Sequence, residues 1–244
     1  MKNYLVILVA LFTVVPLFAQ SDDGEEEISV QVKERKNTFF IGPKIGGTLT
    51  SMTDPDEGKL YDKSGVGFSG GLAMKARFGK ASDNSIGGTG YWGVGLELKY
   101  KKNTVKTIAT DEDGNENANF SMDYFEVPVY LQVYPFAKSA TMNSLYIELG
   151  ASIAGTMSRS PKTLSLNNPS AEFSKITYDI DNNGSKLKGG DIRPLVGLGY
   201  TIPNTGLDIN ARYYIGMSKL AENFNCKMNT FEVSLAWMFN ICKF

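Results

Sequence analysis

Among the 244 residues of this chain there is no histidine. That removes Ser-His-Asp triads, imidazole general bases and imidazole metal ligands together. Pairs of carboxylates are present, but none stands in a context that would make one an acid and the other a base. The composition therefore predicts no enzyme and no cofactor. One stretch has the donor spacing of a cation loop. Asp179-Ile180-Asp181-Asn182-Asn183-Gly184 matches the first half of a calcium loop, with Asp179, Asp181 and Asn183 as oxygen ligands and glycine for the sharp turn. The twelfth position is Gly190 where a bidentate Glu is needed, although Asp191 follows, and no helical flanks are evident. The plainer reading is an Asx-rich turn on an exposed loop.

The remaining charged residues are ordered by parity. Segments of roughly ten residues alternate apolar with polar or glycine from about Phe39 onward. Val127, Val129, Leu131 and Val133 oppose Glu126, Tyr130, Gln132 and Tyr134; Phe231, Val233, Leu235, Trp237 and Phe239 oppose Glu232, Ser234, Ala236 and Met238. The mixed face collects Lys44, Lys75, Arg77, Glu97, Lys99, Glu126, Glu148, Arg193, Asp208, Arg212 and Glu232, interspersed with glycines such as Gly42, Gly46, Gly93 and Gly95. Charges of both signs on one face, and an oily opposite face, suit a membrane barrel with a polar lumen. Eight strands enclose a lumen that side chains fill, so these charges are expected to pair with one another.

The elements that position them are eight strands, expected at about 39–49, 66–78, 91–102, 122–135, 145–156, 191–202, 206–216 and 230–241. Odd-numbered connections are generally longer than even ones, the longest running from about 157 to 190. That matches short periplasmic turns and long external loops. On the lipid-facing parity, Phe39, Phe78, Trp92, Tyr200 and Phe239 fall near one end of their strands, and Phe68, Tyr100, Phe125 and Tyr213 near the other. Two such belts settle at the two headgroup layers. Pro43, Pro128 and Pro194 lie inside strands, where proline removes a ladder donor, and are read as bulges or register shifts. The fold class is an all-β, transmembrane, antiparallel up-and-down barrel of eight strands.

Residues 1–19 read as a secretory signal. Lys2 supplies the positive start, Tyr4 to Phe18 the apolar run, and Ala19 the small residue before cleavage. Residues 20–38 form an acidic periplasmic segment and 39–244 the barrel. The 25 basic residues are balanced by 26 acidic ones, so no basic field for nucleic acid exists. Cys226 and Cys242 fall beyond opposite ends of the last strand, roughly 40 Å of extended chain apart. A disulfide needs Cα atoms within about 7 Å, so these two are expected to be unbonded to each other.

Several segments resemble the small PorT-like outer-membrane β-barrel family, often called the porin family, which shares the eight-stranded barrel of OmpX and OmpA. Asp123-Tyr124-Phe125-Glu126-Val127-Pro128-Val129-Tyr130-Leu131 is similar to its aromatic-Leu-Glu-Ile/Val-Pro strand, and Tyr146-Ile147-Glu148-Leu149-Gly150 to the strand that follows. Ala211-Arg212-Tyr213-Tyr214-Ile215-Gly216-Met217 resembles the Arg-Tyr-x-x-Gly close of the penultimate strand, and Phe231 to Phe239 the amphipathic last strand. The resemblance implies insertion into the outer membrane of a Gram-negative bacterium by the barrel assembly machinery. It also makes Pro128 a family feature. Barrels similar to lipid A deacylases, palmitoyltransferases or omptin proteases use a histidine, which this chain lacks.

The function expected is a membrane-embedded scaffold whose loops near 49–65, 103–121, 157–190 and 217–229 face outward. Its partners are outer-membrane lipid and, during insertion, the assembly machinery. The alternatives are an accessory component of type IX-like protein secretion or envelope assembly with a protein partner there, a narrow solute channel, and a soluble secreted barrel or sandwich.

Overall fold

Strand formation follows from the period-two pattern, and strands in hydrocarbon hide their backbone only when the sheet closes. A computed structural model describes residues 37–53, 61–79, 90–107, 119–139, 141–160, 163–167, 175–179, 190–217 and 227–243. The long staves are β1 (Thr38–Thr53), β2 (Tyr61–Phe78), β3 (Trp92–Thr107), β4 (Asn119–Val133) and β5 (Leu145–Ser160). A small hairpin, β6 (Thr163–Asn167) and β7 (Lys175–Asp179), precedes β8 (Gly190–Thr201), β9 (Leu207–Tyr214), β10 (Lys227–Trp237) and β11 (Phe239–Lys243). β11 continues the line of β10 past Met238, whose N–H donates to the Gly206 carbonyl. Pairing of β10 with β1 closes the sheet into an eight-stave antiparallel barrel.

The register fixes the geometry of closure. Thr38 pairs with Arg77, Arg77 with Gly93, Gly93 with Gln132, and Gln132 with Glu148. Glu148 then pairs with Gly197, Gly197 with Arg212, Arg212 with Glu232, and Glu232 with Thr48. The circuit returns to β1 ten residues from its start, from Thr38 to Thr48. With about 3.3 Å rise per residue and about 4.8 Å between strands, that stagger tilts the staves by roughly 40°, within the barrel range.

Outside, the wall is apolar. Ile45, Leu49, Leu72, Leu98, Leu131, Ile147, Leu149, Val196, Leu198, Ile209, Val233 and Leu235 are all exposed. On β3 the outward residues are Trp92, Val94, Leu96, Leu98 and Tyr100, and beyond them Lys102, Thr104 and Lys106. At that level the interior changes too. Val105, Phe120, Met122, Met52 and Met228 are buried on the inward face. The chemistry of the two faces therefore swaps where the staves leave the bilayer. Within lipid the barrel is oily outside and charged inside; above it, the outer face of β3 and β4 is polar, and apolar side chains join Thr50, Asn103 and Thr230 in the interior.

That swap accounts for the main difference from the expected strands. β1, β2, β3, β4, β5 and β10 all run several residues further at their long-connection ends. On β1, β3, β4 and β10 the apolar residues there, Met52, Val105, Phe120, Met122 and Met228, face inward, so the alternation reads as if it had stopped. The long connection after β5, expected to be loop, contains the β6–β7 hairpin.

The prolines correct a second expectation, since the three mark no register shift. The ladder between β1 and β10–β11 keeps its register across Gly42 and Pro43, which form no rung there. The β3–β4 ladder does the same at Val127 and Pro128. The β8–β9 ladder ends at Leu195, beside Pro194. A missing N–H costs one rung and leaves the neighbouring strand in place. Shifts occur instead at Phe39/Phe40, Tyr61/Lys63, Ser64/Phe68 and Asp123/Tyr124.

Cys242 is a free, exposed cysteine in β11. Cys226, residues 1–36 with the signal and most of the acidic segment, Asp181 and Asn183 lie outside the described residues; Asp179 closes β7.

Candidate functional site

The inward face of the bilayer-level barrel is a charged column, built by strand parity alone. Lys44, Lys75, Arg77, Glu97, Lys99, Glu126, Glu148, Arg193, Asp208, Arg212 and Glu232 are all buried there. They fall into three groups along the axis.

At the short-turn end, Lys75 Nζ donates to Asp208 Oδ2 at 2.5 Å and to Thr201 Oγ1 at 3.2 Å. Tyr146 OH and Thr201 Oγ1 also donate to Asp208, each at 2.6 Å. Arg77 is held differently. Its Nε donates to the Gly90 carbonyl and its Nη2 to the Asn143 carbonyl, both at 2.9 Å, and its guanidinium lies 3.6 Å over the Tyr134 ring. Carbonyl dipoles and an aromatic face answer this charge, and the contacts tie the turns after β2 and β4 to the barrel floor.

The middle group centres on two glutamates. Glu148 receives Arg212 Nε at 2.6 Å and Nη2 at 3.1 Å, Asn210 Nδ2 at 2.7 Å and Gln132 Nε2 at 2.9 Å. Glu97 Oε1 lies 2.8 Å from both Lys44 Nζ and Arg212 Nη2, and accepts from Tyr130 OH at 2.9 Å. In the upper group, Lys99 Nζ donates to both oxygens of Glu232 at 2.9 Å and to Tyr214 OH at 2.7 Å. Lys101 Nζ lies 3.1 Å from Glu232 and 3.3 Å from Glu126, and Arg193 Nη1 donates to Glu126 at 3.0 Å. Arg193 Nε closes the group on Asp191 at 2.7 Å.

Buried charges are tolerated only when paired and hydrogen-bonded, and multiple donors per carboxylate supply that here. The glycines make the space. A Cβ on Gly95 would stand 2.1 Å from the Tyr130 ring, and one on Gly199 would stand 2.3 Å from the Tyr146 ring. These tyrosines lean over the glycines opposite them on the next stave.

Chemically, the members of the column hold one another. Lys101, wholly buried, belongs to the column by parity but was not among the expected residues. It stands in the run Lys99-Tyr100-Lys101-Lys102, which reads as a solvated strand end. Tyr124, Tyr146 and Tyr214 are likewise buried members whose parity was the available signal.

The outer membrane protein beta-barrel domain family matches residues 18–222. The chain belongs to this family. As an outer membrane β-barrel protein it resides in the outer membrane of a Gram-negative bacterium, and the matched region stops short of β10, the stave that closes the barrel. Among solved structures, the barrel is similar to Neisserial surface protein A at 12% identity, covering 82% of this chain and 97% of that one with a TM-score of 0.43. Ail, the attachment invasion locus protein of Yersinia pestis, solved in complex with the heparin analogue sucrose octasulfate, is 15% identical over 82% of this chain and 99% of its own, with a TM-score of 0.41. OprG from Pseudomonas aeruginosa is 14% identical over 86% and 99%, with a TM-score of 0.41. No curated protein matches the sequence.

Proposed function

We propose that this outer membrane β-barrel protein is a non-conducting, non-catalytic scaffold that anchors its long external connections in the membrane. The observation that carries this reading is the occupied lumen. From Asp208 at the floor to Arg193 at the top, buried side chains bond to one another across the axis, and a solute would have to break these charge-assisted bonds to pass. Residues 1–19 are then the export signal, removed on secretion. Within the family, the order of the Glu126-Val127-Pro128, Glu148-Leu149-Gly150 and Arg212-Tyr213 motifs supports a PorT-like member.

Single-channel recording in planar bilayers tests the reading. Purified protein that shows a folded band on a heat-modifiability gel gives no conductance steps. Reproducible steps from the same preparation would replace the scaffold with a pore.

A further inference from the structure

Where β3 leaves the bilayer, its outer face changes from rings to cations. Tyr100 on β3 and Phe125 on β4 share one rung, and the Phe68 ring on β2 lies against Tyr100 with centroids 5.7 Å apart. The next outward residues up β3 are Lys102, Thr104 and Lys106. Aromatic side chains settle at headgroup depth, so the two lysines stand level with the headgroups and just above them.

These lysines differ from those of the lumen. Lys44, Lys75, Lys99 and Lys101 are each held by a carboxylate. Among the described residues, no carboxylate lies within ion-pair distance of Lys102 or Lys106. Asp123 is the register partner of Lys102, but its Oδ2 accepts from Ser158 Oγ on β5. Lys106 stands in register with Lys63 on β2 and Asn119 on β4, so neither neighbouring stave sets a carboxylate opposite it. Like charges opposed across a sheet are destabilising, which an anion would relieve. At the rung between the two lysines, Thr104 Oγ1 and Ser121 Oγ lie 3.2 Å apart and add hydroxyls to the ledge.

The ledge belongs to one side of the barrel. At the corresponding end of β8, and just after β9, the exposed residues are Ile192, Ile215 and Met217, which offer an anion nothing. On the β3 side the cations continue directly from the lipid-facing wall, so their ligand has an apolar part that lies on the rings and an anionic head above them. A soluble anion would leave Phe68 and Phe125 uncovered. An ammonium is a compact charge suited to phosphate. Four residues of strand set the lysines about 13 Å apart, room for a head that carries more than one phosphate.

We propose that the outer face of β3, with Lys102 and Lys106 as cations and Phe68, Tyr100 and Phe125 as the apolar seat, binds a phosphorylated glycolipid of the outer leaflet. This rests on the long connections facing outward, as in the function proposed above.

The test titrates fluorescent bis-phosphorylated lipid A into the full mature protein folded in neutral detergent, and reads energy transfer from Trp92 and Trp237. Lys102→Gln/Lys106→Gln weakens binding about thirtyfold, each lysine at a charged membrane surface contributing about fivefold. Lys227→Gln, which removes an exposed cation on β10, leaves it unchanged. Lipid A stripped of phosphate binds the parent no better than intact lipid A binds the double variant. A heat-modifiability gel establishes that each variant is folded. Equal affinity of parent and double variant overturns the proposal, as does equal competition by phosphatidylglycerol or displacement by inorganic phosphate. Orientation is tested apart from the site, by labelling Asn119→Cys on whole cells with a membrane-impermeant maleimide in a Cys226→Ser/Cys242→Ser background. Labelling is expected; its absence would put this end in the periplasm and overturn an outer-leaflet ligand.

Discussion

Glu148 on β5 and Arg212 on β9 clasp each other across β8, over the bare backbone of Gly197. Gly197 is the register partner of both. A Cβ there would stand 2.9 Å from Glu148 Oε2 and 2.9 Å from Arg212 Cγ. The two-point contact, 2.6 and 3.1 Å, exists because the intervening stave contributes no side chain.

Removing one partner of this pair strands the other in a low-dielectric interior. Arg212→Met is expected to destabilise the barrel by about 3–5 kcal/mol, because Glu148 and Glu97 both lose their guanidinium. Arg212→Lys restores only part of the loss, since an ammonium cannot reproduce the two-point geometry. Urea unfolding in lipid vesicles, followed by tryptophan fluorescence, measures both.

The pairing of glycine with tyrosine gives a sharper test because it predicts rescue. Gly95→Ala places a methyl group in the Tyr130 ring and should cost about 1–3 kcal/mol. In a Tyr130→Ala background the same substitution finds open space, and its own cost disappears. Gly199→Ala with Tyr146→Ala behaves in the same way. A double-mutant cycle with no coupling would show that the rings do not occupy those positions.

Most of this architecture is legible in the sequence, for a simple reason. Inside the bilayer both environments are strict, so Leu96 and Glu97, or Leu149 and Glu148, announce their faces. Strand existence and lumen membership follow directly. Legibility fails where a rule changes. At Lys101 the run of charge imitates solvent exposure. At Val105 and Phe120 the apolar residues move inward, and periodicity read with one polarity ends the strands early. The prolines mislead in the opposite direction. A lost donor suggests a displaced register, whereas the ladders on both sides of Pro43 and Pro128 are pinned by many other rungs.

The change of polarity makes substitution costs depend on height. Leu96→Arg, on the outer face within the apolar band, is expected to cost about 2–4 kcal/mol, whereas Thr104→Arg, two residues beyond Lys102 on the same face, costs about 0–1. Phe120→Ala, inward at that upper level, should cost about 3–5 kcal/mol by leaving a cavity. Unfolding free energies in vesicles rank the three.

The most direct measurement is a nitroxide scan of β3 in vesicles, one spin label at a time from Trp92 to Lys106, reading collision rates with oxygen and with a water-soluble nickel complex. Labels at 92, 94, 96, 98 and 100 should meet oxygen and avoid nickel, and labels at 102, 104 and 106 should do the reverse. Odd positions should be shielded from both throughout. Nickel reaching positions 95, 97 and 99, or equal nickel access along all the even positions, would contradict a sealed, charge-filled barrel with an oily exterior.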